Sequence, residues 1–190
     1  TVTAGNTGKT YGDTDPGLTY QITSGSLAFT DTFTGNIQRT AGENAGSYAI
    51  TEGTLALNNN YNLNVNQGTF TITPRAITVT GDSVTKVYGN PDPVFTYQTT
   101  SGTLVAGDSF TGTLTRDPGK DVGVYAVTQG TLSLGSNYTL TYINGQLTIG
   151  KRDITITADA KSKTEGQSDP PLTWTVTDLV SGDTYTGALD

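Results

Sequence analysis

The residues best placed to do chemistry fall in a short motif, Gly-x-x-Asp-Pro, that the chain carries three times. It occurs as Gly12, Asp13, Asp15 and Pro16, as Gly89, Asn90, Asp92 and Pro93, and with Gly166 ahead of Asp169 and Pro170. Paired oxygens two residues apart are what a calcium loop uses, because Ca²⁺ takes carboxylate and carbonyl oxygens. Asp13, Asp15, Asn90 and Asp92 are therefore weak calcium candidates. The third copy puts Gln167 in place of the first oxygen, which weakens the metal reading. The reading we adopt is a structural turn, in which Gly takes a positive φ, Pro fixes the φ that follows, and the Asp carboxylate bonds nearby backbone N–H groups.

The remaining inventory excludes most other chemistry. The chain of 190 residues has no His, no Cys and no Met, so the commonest general base, thiolates and soft metal ligands are missing. A glycosidase needs two carboxylates across a cleft, yet the acids best placed to be nominated, Asp15 and Asp31 with their counterparts, recur from copy to copy. We find no nucleophile–base pair and no phosphate-cradling Gly loop, and expect no catalytic residue and no cofactor. A formal charge of −7, with only ten scattered Lys and Arg, argues against nucleic acid as a partner. No apolar run is long enough to cross a membrane. A second recurring acid, Asp31, Asp108 and Asp183, precedes a strand in each copy and is expected to pair on the surface with Arg39 or Arg116.

The elements that hold these residues repeat with them. At an offset of 77, residues 1–73 and 78–150 match at 35 of 73 positions without a gap, the signature of a tandem duplication. The expected units are 1–74, 75–151 and 152–190, the last being the front half of a third repeat with a two-residue deletion. They are joined by the short connections Thr73-Pro74-Arg75 and Gly150-Lys151-Arg152, too tight for a flexible linker. Within a unit, short stretches such as AITVTG, VFTYQ and QLTIG alternate at period two between turn residues. The inward set is expected to be Val79, Phe95, Tyr97, Phe110, Leu114, Tyr125, Val127, Leu132, Tyr138, Leu140 and Leu147, with Thr on the other face. Trp174 stands where the other copies have Tyr20 and Tyr97, and so reads as core. Asn137-Tyr138-Thr139 matches a glycosylation sequon. The expected fold is all-β: tandem antiparallel modules, β-grasp-like or immunoglobulin-like sandwiches, set end to end as a rod.

The shared pattern from Tyr11 to Ile72 and from Tyr88 to Ile149 reads YGxxDP, then TY, SG, FTG, GTL, NY and a closing TI. It resembles the MBG repeats of the YGX type, which occur in tandem in very large bacterial surface proteins, including filamentous-haemagglutinin-like adhesins exported by two-partner secretion. The resemblance implies an extracellular, β-rich stalk in an adhesin or biofilm matrix protein that projects a binding domain from the cell. Any glycan, exopolysaccharide or matrix partner would then belong to the parent protein. The alternative is that the repeats themselves bind such partners through the loops that differ between copies, 28–32 against 105–109 and 57–60 against 134–137.

Overall fold

A computed structural model describes residues 1–187, and among them every regular element is a strand. The first repeat runs β1 (Val2–Ala4), β2 (Thr7–Thr10), β3 (Tyr20–Ile22), β4 (Gln38–Arg39), β5 (Gly46–Thr51), β6 (Val65–Asn66) and β7 (Gly68–Thr73). The second follows the same plan: β8 (Arg75–Gly81), β9 (Val84–Val87), β10 (Tyr97–Ser101), β11 (Thr115–Arg116), β12 (Gly123–Thr128), β13 (Tyr138–Ile143) and β14 (Gly145–Gly150). Strands β15 (Thr155–Ala158) and β16 (Trp174–Thr177) belong to the third.

Each full repeat makes two sheets, ordered β3-β1-β6 and β2-β7-β5-β4 in the first and β10-β8-β13 and β11-β12-β14-β9 in the second. Two of the pairings in each repeat are parallel, β1 with β6 and β2 with β7, then β8 with β13 and β9 with β14. The expectation of purely antiparallel modules is corrected accordingly. The first and last segments of a repeat run side by side, and both cross from one sheet to the other at the same level. They cross where Gly81 meets Gly145: a Cβ on Gly145 would lie 2.6 Å from the Gly81 carbonyl oxygen, so only glycine lets the backbones approach there. Period-two alternation reports which face a residue takes and says nothing of its neighbour's direction, so parallel pairing was invisible to it.

Alternation decides the core. Strand β7 buries Phe70 and Ile72 and exposes Thr69, Thr71 and Thr73, while β14 buries Leu147 and Ile149 and exposes Gln146 and Thr148. In the second repeat Ile77 and Val79 from one sheet meet Val127, Leu147 and Ile149 from the other, with Leu114 and Leu132 closing the layer. Every member of the expected inward set lies in or against this cluster. Full burial of one such side chain contributes about 1.5–3 kcal/mol, and each full repeat holds one layer of seven buried residues. With no helix among the described residues and one core shared by two sheets, each full repeat is a mixed two-sheet sandwich rather than a β-grasp.

The register of the front hairpin is the same in all three copies: Ala4 opposite Tyr20, Gly81 opposite Tyr97, Ala158 opposite Trp174. Trp174 packs edge-on against Tyr185 with ring centroids 6.1 Å apart, as Tyr20 does with Phe33 and Tyr97 with Phe110. The two-residue deletion therefore leaves the aromatic pair intact.

Candidate functional site

The Gly-x-x-Asp-Pro motif is a turn in all three copies. Asp13 N donates to Thr10 O at 3.0 Å, Asn90 N to Val87 O at 3.1 Å and Gln167 N to Thr164 O at 3.1 Å, with Gly12, Gly89 and Gly166 at φ of 83°, 82° and 82°. The Asp carboxylate does not cap this turn through backbone N–H groups, contrary to expectation. Asp15 instead accepts from Lys9 Nζ at 2.7 Å and Arg39 Nε at 2.5 Å, and Asp92 from Lys86 Nζ at 2.6 Å and Arg116 Nε at 2.7 Å. Asp169 pairs with Lys163. Pro93, together with Asn90, Asp92, Lys86 and Thr148, lines an open cleft beside the turn, and Pro170 stands in the corresponding place near Lys161 and Lys163. Pro16 follows Asp15 in the same motif.

The arginines are fixed before they meet the carboxylates. The Arg39 guanidinium lies over the Phe70 and Tyr48 rings at 4.9 and 5.5 Å and donates to the Gly42 carbonyl at 2.6 Å. Arg116 lies over Tyr125 at 5.3 Å and donates to the Gly119 carbonyl at 2.6 Å. A planar donor held by stacking is the form in which Arg binds carboxylate well. Hydrogen bonds from Arg39 and then Lys9 hold the Asp15 carboxyl down at about 2, and those from Arg116 and Lys86 lower that of Asp92. Among the described residues no three acidic side chains come close enough together to hold a metal ion. Each nominated carboxylate already faces a cation, a donor set that does not fit Ca²⁺.

The front of the motif reaches into the next repeat. Arg75, at the start of β8, donates through Nε to Tyr11 O at 2.7 Å and pairs with Asp13 through Nη2. Arg152 does the same to Tyr88 O at 2.8 Å and to Asn90 Oδ1 at 2.5 Å. Asp13 and Asn90 can therefore replace one another, since each supplies one acceptor oxygen to an arginine. The Tyr11 hydroxyl donates to Asp108 Oδ2 at 3.0 Å, and its ring meets Tyr138 edge-on at 5.4 Å. Tyr138 itself donates to Asp108 Oδ2 at 2.6 Å and accepts from Val105 N at 2.8 Å. At the following junction Tyr88 donates to Asp183 Oδ1 at 3.1 Å.

Gly12 seats this lock. A Cβ there would lie 2.3 Å from Val105 Cγ2, and one on Gly89 would lie 2.4 Å from Val180 Cγ2. Across the same junction Asn137 Oδ1 accepts from Ala45 N at 2.8 Å, and its Nδ2 donates to Asn44 Oδ1 at 3.0 Å. The sequon asparagine is thus engaged by its neighbour.

Two further expectations are corrected by this arrangement. Asp31 and Asp108 do not pair with Arg39 or Arg116: Asp31 accepts from Tyr61 at 2.7 Å and Asn58 at 3.0 Å, and Asp108 from the two tyrosines. The divergent loops 105–109 and 134–137 are not free binding loops in the second repeat, because Val105, Asp108 and Asn137 touch the first. The sequence did hold the missing signal. Tyr11 and Tyr88, and Arg75 and Arg152, each recur at a spacing of 77, and the two tyrosines, which pack against the core of their own repeat, also reach the next one.

Comparison with curated proteins and comparison with solved structures each return no match. Comparison with protein families matches residues 1–71, 77–148 and 154–190 to the MBG domain of YGX type, a domain found in bacterial surface proteins. Within these copies the pairs Tyr11-Gly12 and Tyr88-Gly89 dock one repeat on the next. The chain belongs to the MBG domain family, YGX type, as three tandem copies.

Proposed function

We propose that this chain is a stalk segment of an extracellular bacterial adhesin or biofilm matrix protein, in which each repeat adds length and the junctions resist bending. The parent's glycan, exopolysaccharide or matrix contact lies in another part of it. The observation that carries this reading is the repeated junction. The same turn, arginine, tyrosine and aspartate join the first repeat to the second and the second to the third, with Asn90 in place of Asp13. A repeated contact of this kind converts a string of domains into a semi-rigid array. The net charge of −7 keeps such a fibre soluble and away from nucleic acid.

The test combines small-angle scattering on the 190-residue chain with binding to panels of glycans, exopolysaccharides and matrix proteins. Scattering that fits one extended conformer, with no saturable binding, is expected. A broad distribution of repeat orientations would overturn the stalk reading, and saturable binding lost on altering residues 28–32 would make the repeats themselves adhesive.

A further inference from the structure

We infer that the face of the first repeat carrying Ala28, Phe29, Asp31 and Tyr61 is a docking socket for a Tyr-Gly turn supplied by a repeat on its N-terminal side. The inference rests on the stalk reading and extends it to a third junction. The parts correspond residue by residue at the offset of 77: Ala28 with Val105, Asp31 with Asp108, Tyr61 with Tyr138. The socket is already assembled. Tyr61 donates to Asp31 Oδ2 at 2.7 Å and accepts from Ala28 N at 2.8 Å, just as Tyr138 does with Asp108 and Val105. In the second repeat this constellation receives Tyr11 and Gly12, and in the third Asp183 and Val180 receive Tyr88 and Gly89.

Phe29 supplies the independent sign that something covers this face. It is fully exposed, at 102%, and it sits at φ 53°, a left-handed conformation that is strained for any residue other than glycine. A partner that covers the ring would recover its apolar surface from water, and strained backbone of this kind clusters at ligand clamps and switch segments. Its counterpart Ala106 is small, while in that turn Gly107 takes the positive φ of 95°. The first socket is thus built with a wider hydrophobic rim than the second. Ala28 in place of Val105 also removes the methyls that crowd the incoming glycine, leaving room for the ring.

The test fuses a copy of residues 1–77 ahead of Thr1, so that Arg75 and the Tyr11–Gly12 turn of the added copy arrive in register. Phe29→Trp, with Trp174→Tyr to remove the native indole, reports burial by acrylamide quenching. We expect the quenching constant to fall several-fold on fusion, and to return when Tyr11 and Gly12 of the added copy are both changed to Ala. Equal quenching with and without the added copy would overturn the inference. So would protection that grows with concentration in the unfused chain, because a second chain would then be the occupant. Scattering of the unfused chain separates the two readings: a rigid native junction beside an unprotected indole at position 29 of the fusion sinks this socket alone, and a flexible native junction sinks the stalk.

Discussion

Replacing Gly12 with alanine imposes two costs that the structure separates. The first is backbone strain: at φ 83° a residue bearing a Cβ loses about 1–2 kcal/mol. Gly25 measures that cost alone, because its φ is 81° and nothing lies within 4 Å of the position its Cβ would take. The second cost is collision, with the new methyl 2.3 Å from Val105 Cγ2. Val105 is β-branched and stiff at χ1, so the repeats must part. Parting gives up the Tyr11–Asp108 and Arg75–Tyr11 hydrogen bonds, together about 3–6 kcal/mol when one partner in each is charged. The chain has no cysteine of its own, so Thr69→Cys and Gln146→Cys, both on exposed strand faces, allow a spin label on each full repeat. Electron–electron distances between them should be narrow in the parent and in Gly25→Ala, and broad in Gly12→Ala. Adding Val105→Ala removes the offending methyl and should restore the narrow distribution while leaving the strain in denaturant titrations, a coupling of about 1–3 kcal/mol. If Gly12→Ala and Gly25→Ala cost the same and neither broadens the distance, the Tyr-Gly turn is not a junction element and the reasoning fails.

Asp108→Ala should loosen the same junction by about 1–3 kcal/mol, since two tyrosine hydroxyls lose their acceptor; the label distances read it, and an unchanged distribution would refute it. The Asp15 carboxyl, held at about 2 against an ordinary value near 4, adds stability that is present above the unfolded value and lost as the pH falls toward 2. With the side chain 40% exposed, solvent screening reduces this to about 1 kcal/mol, and Asp15→Asn should flatten the acid limb of a denaturation series. At the alkaline end the signs reverse: the bond to Asp108 raises Tyr11 and that to Asp183 raises Tyr88. The junctions then hold below the ordinary tyrosine value and open as the pH climbs through the raised ones, visible as broadening of the label distances together with phenolate absorbance. Asp92→Ala should lower the melting temperature of the second repeat equally with and without calcium, because Lys86 and Arg116 are the partners it abandons; a calcium-dependent gain lost in the variant would restore the metal reading.

The core was legible in the sequence because burial in a strand is a local property. Phe70 and Ile72, or Leu147 and Ile149, declare themselves by alternating with Thr or Gln whatever lies beside them. Parallel pairing of β8 with β13 was not legible, because the direction of a neighbour depends on where the whole intervening chain travels. The junction lay between these cases. Its residues were conspicuous as a repeated motif, but Asp15 and Asp13, two positions apart, serve different ends: one is tied within its own repeat by Arg39 and the other across the boundary by Arg75. The third copy could have told them apart. A metal loop needs its first oxygen as much as its second, whereas the arginine of the next repeat takes either Asp13 or Asn90 as its acceptor, and Gln167 keeps only an amide oxygen there. The ion pair inside the repeat keeps its carboxylate in all three copies. Within the motif, the carboxylate kept in all three copies ties a repeat to itself, and the position that changes from Asp13 to Asn90 while keeping an oxygen faces the next repeat.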